Sequence, residues 1–136
     1  MPGPKSPITC HVLDSSTGKP AEGVHVRLQD FTPAATAGGL DSFNPMATGV
    51  TNADGRCLNL LPPARDSSEA KEKELDGVLA SGIYKITFET KEHFEMTGRK
   101  CFYPWVEIVF EIENPKEHYH IPLLISPYSF TTYRGS

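Results

Sequence analysis

Short runs in which apolar and polar residues alternate, separated by Gly, Pro, Asn and Asp, recur along the whole chain. A period of two places successive side chains on opposite faces, so such runs form half-buried strands, and many of them in series build a sandwich or barrel. The first run, Ile8 to Asp14, puts Cys10 and Val12 on one face and Thr9, His11 and Leu13 on the other. In the next, Gly23 to Asp30, Val24, Val26 and Leu28 point inward, with His25, Arg27 and Gln29 outward. Further runs cover residues 47–51, 56–60, 83–89, 105–113, 118–126 and 128–133, which makes eight expected strands. Asn52-Ala-Asp-Gly55 between the third and fourth reads as a hairpin turn. One helix is expected after the fifth strand, with Thr90 as N-cap, Glu92 in its first turn and Gly98 as its stop. Residues 31–46 and 62–82 read as long surface loops, the second carrying a solvated helical turn around Glu69–Leu75.

The chain of 136 residues is the size of one domain with a core of its own. Its formal net charge of -4 argues against a general nucleic-acid binder. Three cysteines, at positions 10, 57 and 101 and without a Cys-x-x-Cys pair, fit reduced thiols better than a disulfide framework. The first residues carry no apolar leader, and the terminal Arg-Gly-Ser is not a Ser-Lys-Leu-type peroxisomal address. On these signs an intracellular, cytoplasmic protein is expected, with no peroxisomal signal seen.

In the run 118–126, Tyr119, Ile121, Leu123 and Ile125 form a core face, and His118, His120, Pro122 and Leu124 the opposite one. An ordinary solvent face would favour Lys, Glu and Thr. Leu13 beside His11 gives the first strand the same half-apolar outer face, so a second copy of the protein is expected to cover both. Pro122 lacks an N–H, which calls for an edge strand or a bulge.

Four groups on this pattern can do chemistry. His11 alone reads more readily as a surface strand histidine than as a base. His118 and His120, at i and i+2, can share proton transfer or begin a metal site, which would need His11 or His25 as a third ligand. As an isolated pair they rank as surface residues first, acid/base groups second and metal ligands last. Arg56 opens a strand after a turn, where a guanidinium can clamp a planar anion, although a solvated strand end is the simpler reading. The last four residues pack an aromatic ring, a guanidinium and a hydroxyl into Tyr133-Arg-Gly-Ser136. No nucleophile elbow, phosphate loop or dinucleotide fingerprint is present.

Taken together, Ile8-Thr-Cys-His-Val-Leu-Asp14, Gly49-Val-Thr-Asn-Ala-Asp-Gly-Arg56, His118-Tyr-His-Ile-Pro-Leu-Leu-Ile-Ser-Pro127 and Tyr133-Arg-Gly-Ser136 resemble the 5-hydroxyisourate hydrolase branch of the transthyretin-like family. Gly82-Ile-Tyr-Lys and Phe88-Glu-Thr fit as well. The resemblance covers the chain outside the two long loops. Its terminal motif separates this branch from the hormone carriers of the family. It implies an all-β, eight-stranded transthyretin-like sandwich with one short helix, a single domain over residues 1–136. It also implies a homotetramer, a dimer of dimers, with a channel lined by the outer faces of the first and last two strands. The site it implies comprises His11, Arg56, His120, Tyr133 and Ser136, with His118 in a lesser part and no metal or cofactor. The reaction it implies is hydrolysis of the C6–N1 amide of 5-hydroxyisourate. A small-molecule carrier using the same channel, and a metal-dependent or structural module using His118 and His120, are the alternatives.

Overall fold

The computed structural model describes residues 6–61 and 79–136. Among these residues nine strands and one helix follow in the order β1 (Ile8–Asp14), β2 (Lys19–Pro20), β3 (His25–Thr32), β4 (Ser42–Val50), β5 (Arg56–Cys57), β6 (Gly82–Phe88), α1 (Lys91–Met96), β7 (Val106–Ile112), β8 (Tyr119–Ser126) and β9 (Ser129–Thr132). A strand overlaps each of the eight expected runs, that over residues 56–60 reduced to Arg56–Cys57, and β2 is a two-residue addition beyond the turn that follows β1. One sheet has the order β2-β1-β8-β9, with β5 also pairing β1; the other has the order β4-β3-β6-β7. β1 and β8 run parallel, and every other pair runs antiparallel.

The two sheets face each other across a core that follows the alternation of the sequence. Cys10, Val12, Val26, Leu28, Ile86, Phe88, Leu123 and Ile125 are buried in it, and Phe94 of α1 joins them. Burying each of the large side chains contributes about 2–3 kcal/mol. Gly98, with φ of 71°, ends the helix as expected. Its amide bonds Glu95 O at 3.0 Å and that of Arg99 bonds Phe94 O at 2.9 Å, which satisfies the last carbonyls. Thr90 occupies the N-cap position as expected, but its side chain makes no capping bond: its buried hydroxyl finds no partner among the described residues.

Three expectations need correction. Strand structure enters both ends of the loop expected over residues 31–46, leaving only 33–41 between β3 and β4. Phe31 and Phe43 pack with ring centroids 5.1 Å apart, and Asn44 Nδ2 donates to Asp30 Oδ1 and Thr32 Oγ1, so side-chain pairs extend a hairpin that composition alone reads as loop. A shift of register beside Gln29 admits Pro45 on β4, an edge strand. The Asn52–Gly55 turn is not a hairpin, because it carries the chain from β4 in one sheet to β5 in the other. Third, Pro122 sits in β8, an inner strand, and is not bulged. Its carbonyl faces β9 and accepts from Thr132 Oγ1 at 2.8 Å, so its missing N–H faces that side too. The β8–β9 ladder stops at Leu123↔Thr132 and resumes as a single bridge at His120↔Gly135. The helical turn expected around Glu69–Leu75 lies outside the described residues.

Candidate active site

Register decides which outer-face side chains meet. On β1, His11 stands opposite Arg56 of β5 on one side and Pro122 of β8 on the other. Two residues earlier, Thr9 stands opposite His120, which in turn bridges to Gly135. Two transverse rows result, Arg56–His11–Pro122 and Thr9–His120–Gly135, and His11 and His120 are diagonal neighbours, roughly 8 Å apart by strand spacing and rise.

Arg56 is held by its turn. Asn52 Oδ1 accepts from the amides of Asp54 (2.9 Å) and Arg56 (3.0 Å), while the Asn52 amide donates to Arg56 O at 2.8 Å. Gly55 has φ of 76°, and a Cβ there would lie 2.4 Å from Val12 O. Only glycine lets the turn close onto β1, where Val12 N donates to Gly55 O at 2.7 Å. Burial and the facing Arg56 charge push the His11 imidazole below its ordinary pKa of 6.5, against a weaker opposing pull from Asp54. His11 is therefore neutral at pH 7 with a cation beside it.

His120 is half-buried and His118 exposed. Thr9 Oγ1 lies 2.8 Å from His120 Nδ1 and 2.9 Å from His118 Nε2. Sequence reasoning placed Thr9 on this face without giving it a part; the signal was a buried-strand position holding a hydroxyl among histidines. On the other flank of His120, Gly135 N donates to His120 O at 2.8 Å, and a Cβ on Gly135 would lie 2.7 Å from the His120 ring. The glycine of the terminal motif is thus required by close approach to a histidine.

The remaining tail residues divide. Tyr133, 58% exposed, falls in the gap of the ladder opposite Pro122, and Ser136 follows pinned Gly135 directly. Arg134 bonds Glu117 Oε1 at 2.9 Å and lies over the Tyr119 ring at 4.4 Å. It lines a cavity of about 480 Å³ where the edges of the two sheets part, together with Glu111, Glu113, Tyr119, His120 and Tyr133. His11 and Arg56 do not reach this cavity, and its carboxylates suit an anion poorly. The outer face carrying Arg56 suits one better.

Asp14, at the end of β1, faces the interior as parity requires. It accepts from Arg99 Nη2 (2.6 Å) and Ser16 Oγ (2.6 Å), and lies 2.8 Å from His93 Nε2. These contacts tie α1 to the strand that carries His11. His25 sits on β3 in the opposite sheet, which removes it as a partner for His118 and His120. Among the described residues, no three His, Cys, Asp or Glu side chains are grouped to hold a metal ion.

A family model described as the HIUase/Transthyretin family matches residues 8–135. This chain belongs to that family. Its likeness to the 5-hydroxyisourate hydrolase of Mus musculus is 38% identity over 131 residues, 96% of each chain. The solved structure of Klebsiella pneumoniae 5-hydroxyisourate hydrolase superposes with a TM-score of 0.69 at 35% identity, covering 95% of this chain and 98% of that one. Sea bream transthyretin in complex with thyroxine superposes equally well, with a TM-score of 0.70 at 30% identity over 95% and 94% of the two chains. The HIUase/Transthyretin fold therefore does not separate a 5-hydroxyisourate hydrolase from a transthyretin in complex with thyroxine; the side chains on the outer face must.

Proposed function

We propose that this protein hydrolyses 5-hydroxyisourate, opening the C6–N1 amide to give 2-oxo-4-hydroxy-4-carboxy-5-ureidoimidazoline in urate degradation. The observation that carries this reading is the pairing of a neutral His11 with Arg56, one row from His120, in a chain whose relatives bear the hydrolase name. A neutral histidine of the His11/His120 pair takes a proton from water as the water attacks the carbonyl, assistance worth ~10²–10⁴-fold. Arg56 holds the planar, anionic ring and stabilises the oxyanion that develops. Tyr133 and Ser136 shape the pocket and hydrogen-bond the substrate or the water. The substrate opens slowly unaided, so this site needs no metal or cofactor.

The active assembly is a homotetramer, a dimer of dimers. Half-buried Leu13 and Leu124 flank the histidines on an outer face that a second copy covers, closing a channel over the site. Three cysteines, all free, suit the reducing cytoplasm. No helix among the described residues is long and apolar enough to cross a membrane.

One assay tests the reading. 5-Hydroxyisourate is generated in place with urate oxidase and its ultraviolet decay is followed with and without the protein. Acceleration is expected, insensitive to a chelator and largely abolished by His120→Asn or by deleting Arg134–Ser136, with the tetramer checked by size exclusion. Decay at the spontaneous rate sinks the reading. Saturable binding of a small ligand without turnover would instead support a carrier, the reading favoured by likeness to transthyretin in complex with thyroxine.

A further inference from the structure

Thr9 places a hydroxyl against both His118 and His120. It is 1% exposed, and its Oγ1 lies 2.8 Å from His120 Nδ1 and 2.9 Å from His118 Nε2. Valine has the same shape and suits a buried strand position, so the hydroxyl is kept for its two contacts. A hydroxyl has one hydrogen to give and lone pairs to accept with. Placed between two ring nitrogens, it donates to one and accepts an N–H from the other. The two rings are thereby interlocked. When His120 carries its hydrogen on Nδ1, Thr9 donates to a bare His118 Nε2; when His118 carries its hydrogen on Nε2, Thr9 donates to a bare His120 Nδ1.

We propose that Thr9 is a positioning residue that couples the tautomer of His120 to that of His118 and relays a proton from His120 to exposed His118. The relay rests on the hydrolase reading and sharpens it, because it puts His120 at the proton-accepting end. In the first tautomer His120 Nε2 is bare. It takes a proton from the attacking water. Nδ1 of His120 then passes its own hydrogen to Thr9 Oγ1, and Thr9 passes its hydrogen to His118 Nε2. His118, exposed at the start of β8, releases a proton to solvent from its far nitrogen. His120 Nε2 then hands its hydrogen to the leaving N1 while the relay runs back, a solvent proton entering at His118 and Thr9 returning a hydrogen to His120 Nδ1; water is thereby split between C6 and N1, the first tautomer is restored, and no group is oxidised. Gly135 holds the ring from the other side: its amide bonds the His120 carbonyl, and its Cα leaves no room beside the ring for a Cβ. His120 is thus fixed at Nδ1 by Thr9 and at its carbon edge by the tail.

The test begins with histidine-¹⁵N-labelled protein, in which long-range ¹H–¹⁵N correlations report which ring nitrogen carries each hydrogen. In the wild type, one of His118 Nε2 and His120 Nδ1 is expected to be protonated and the other bare. Thr9→Val abolishes that complementarity and Thr9→Ser keeps it. In turnover, Thr9→Val lowers kcat about tenfold, the worth of one good hydrogen bond, with KM changed less than about twofold. Thr9→Ser stays within about twofold of wild type. His118→Asn matches Thr9→Val, the double variant is no worse than either, and added imidazole restores His118→Asn. Unchanged tautomers in Thr9→Val, a Thr9→Ser variant as impaired as Thr9→Val, or losses that multiply in the double variant would overturn the relay. Should Thr9→Val fail to fold, Thr9→Ser and His118→Asn decide the matter. If the wild type does not accelerate hydrolysis, the hydrolase reading falls while the ring-nitrogen measurement still judges the interlock.

Discussion

Replacing Gly135 by alanine adds one methyl group where the tail meets His120. That Cβ would stand 2.7 Å from His120 Cδ2, 3.1 Å from Pro122 Cγ and 3.2 Å from His120 O. The first distance is about 0.7 Å inside an ordinary van der Waals contact. Relief must come from the ring, the proline or the tail. The ring is tethered at Nδ1 to Thr9 and the proline ring is rigid, so either His120 is displaced or the tail lifts away. A lifted tail loses the Gly135 N to His120 O bond, about 0.5–1.5 kcal/mol, and takes Ser136 and Tyr133 with it. A displaced ring moves by a large part of an ångström, and misplacements of that order cost up to about 10²-fold in rate. Both routes predict the same outcome. In the coupled urate oxidase assay, kcat/KM of Gly135→Ala falls about 10–100-fold, while Tm drops by no more than about 5 °C because few core contacts are involved. Wild-type kcat/KM in a variant whose assembly state is unchanged would refute the argument that Gly135 sets the His120 geometry.

Other predictions concern the remainder of the face and its anchor. In Arg56→Gln the His11 titration midpoint, followed by imidazole proton NMR, rises toward 6.5 without reaching it, because burial, the larger cause of its depression, persists; an unmoved midpoint removes the electrostatic role of Arg56. Asp14→Asn leaves His93 and Arg99 without a carboxylate and costs about 2–3 kcal/mol in chemical denaturation, discounted from a fully buried pair because Arg99 is partly exposed. Burial raises the Asp14 pKa, but hydrogen bonds from Arg99, Ser16 and His93 outweigh it and hold the carboxyl well below its ordinary 3.8. Its stabilising effect is therefore complete above pH 3.8 and is lost as pH falls toward the depressed folded value, a slope that Asp14→Asn should lack. Towards a maleimide, half-buried Cys101 reacts first and Cys10 last, since a hydrogen bond to Cys57 and burial keep the Cys10 thiol protonated; equal rates measured by mass spectrometry contradict this.

Alternation by itself assigned Val26, Leu28, Leu123 and Ile125 to the core and His11, His120 and Leu124 to the outer face, because the face of a strand residue depends only on counting along its own chain. It also identified the Asn52–Gly55 turn and the glycine stop of α1, both of them local backbone chemistry. What counting could not give is who stands beside whom. That Arg56 faces His11 follows from β5 leaving the sheet of β4 to pair with β1. That Thr9 joins His118 to His120 follows from the parallel register of β1 and β8, two segments more than a hundred residues apart in sequence. Pro122 forbade a continuous ladder, yet an inner strand carries it because the tail leaves a gap there and resumes at Gly135. The sequence thus determined faces and turns, which are local. Pairing and register, which are set by non-local hydrogen bonds and core packing, were decided only by the tertiary structure.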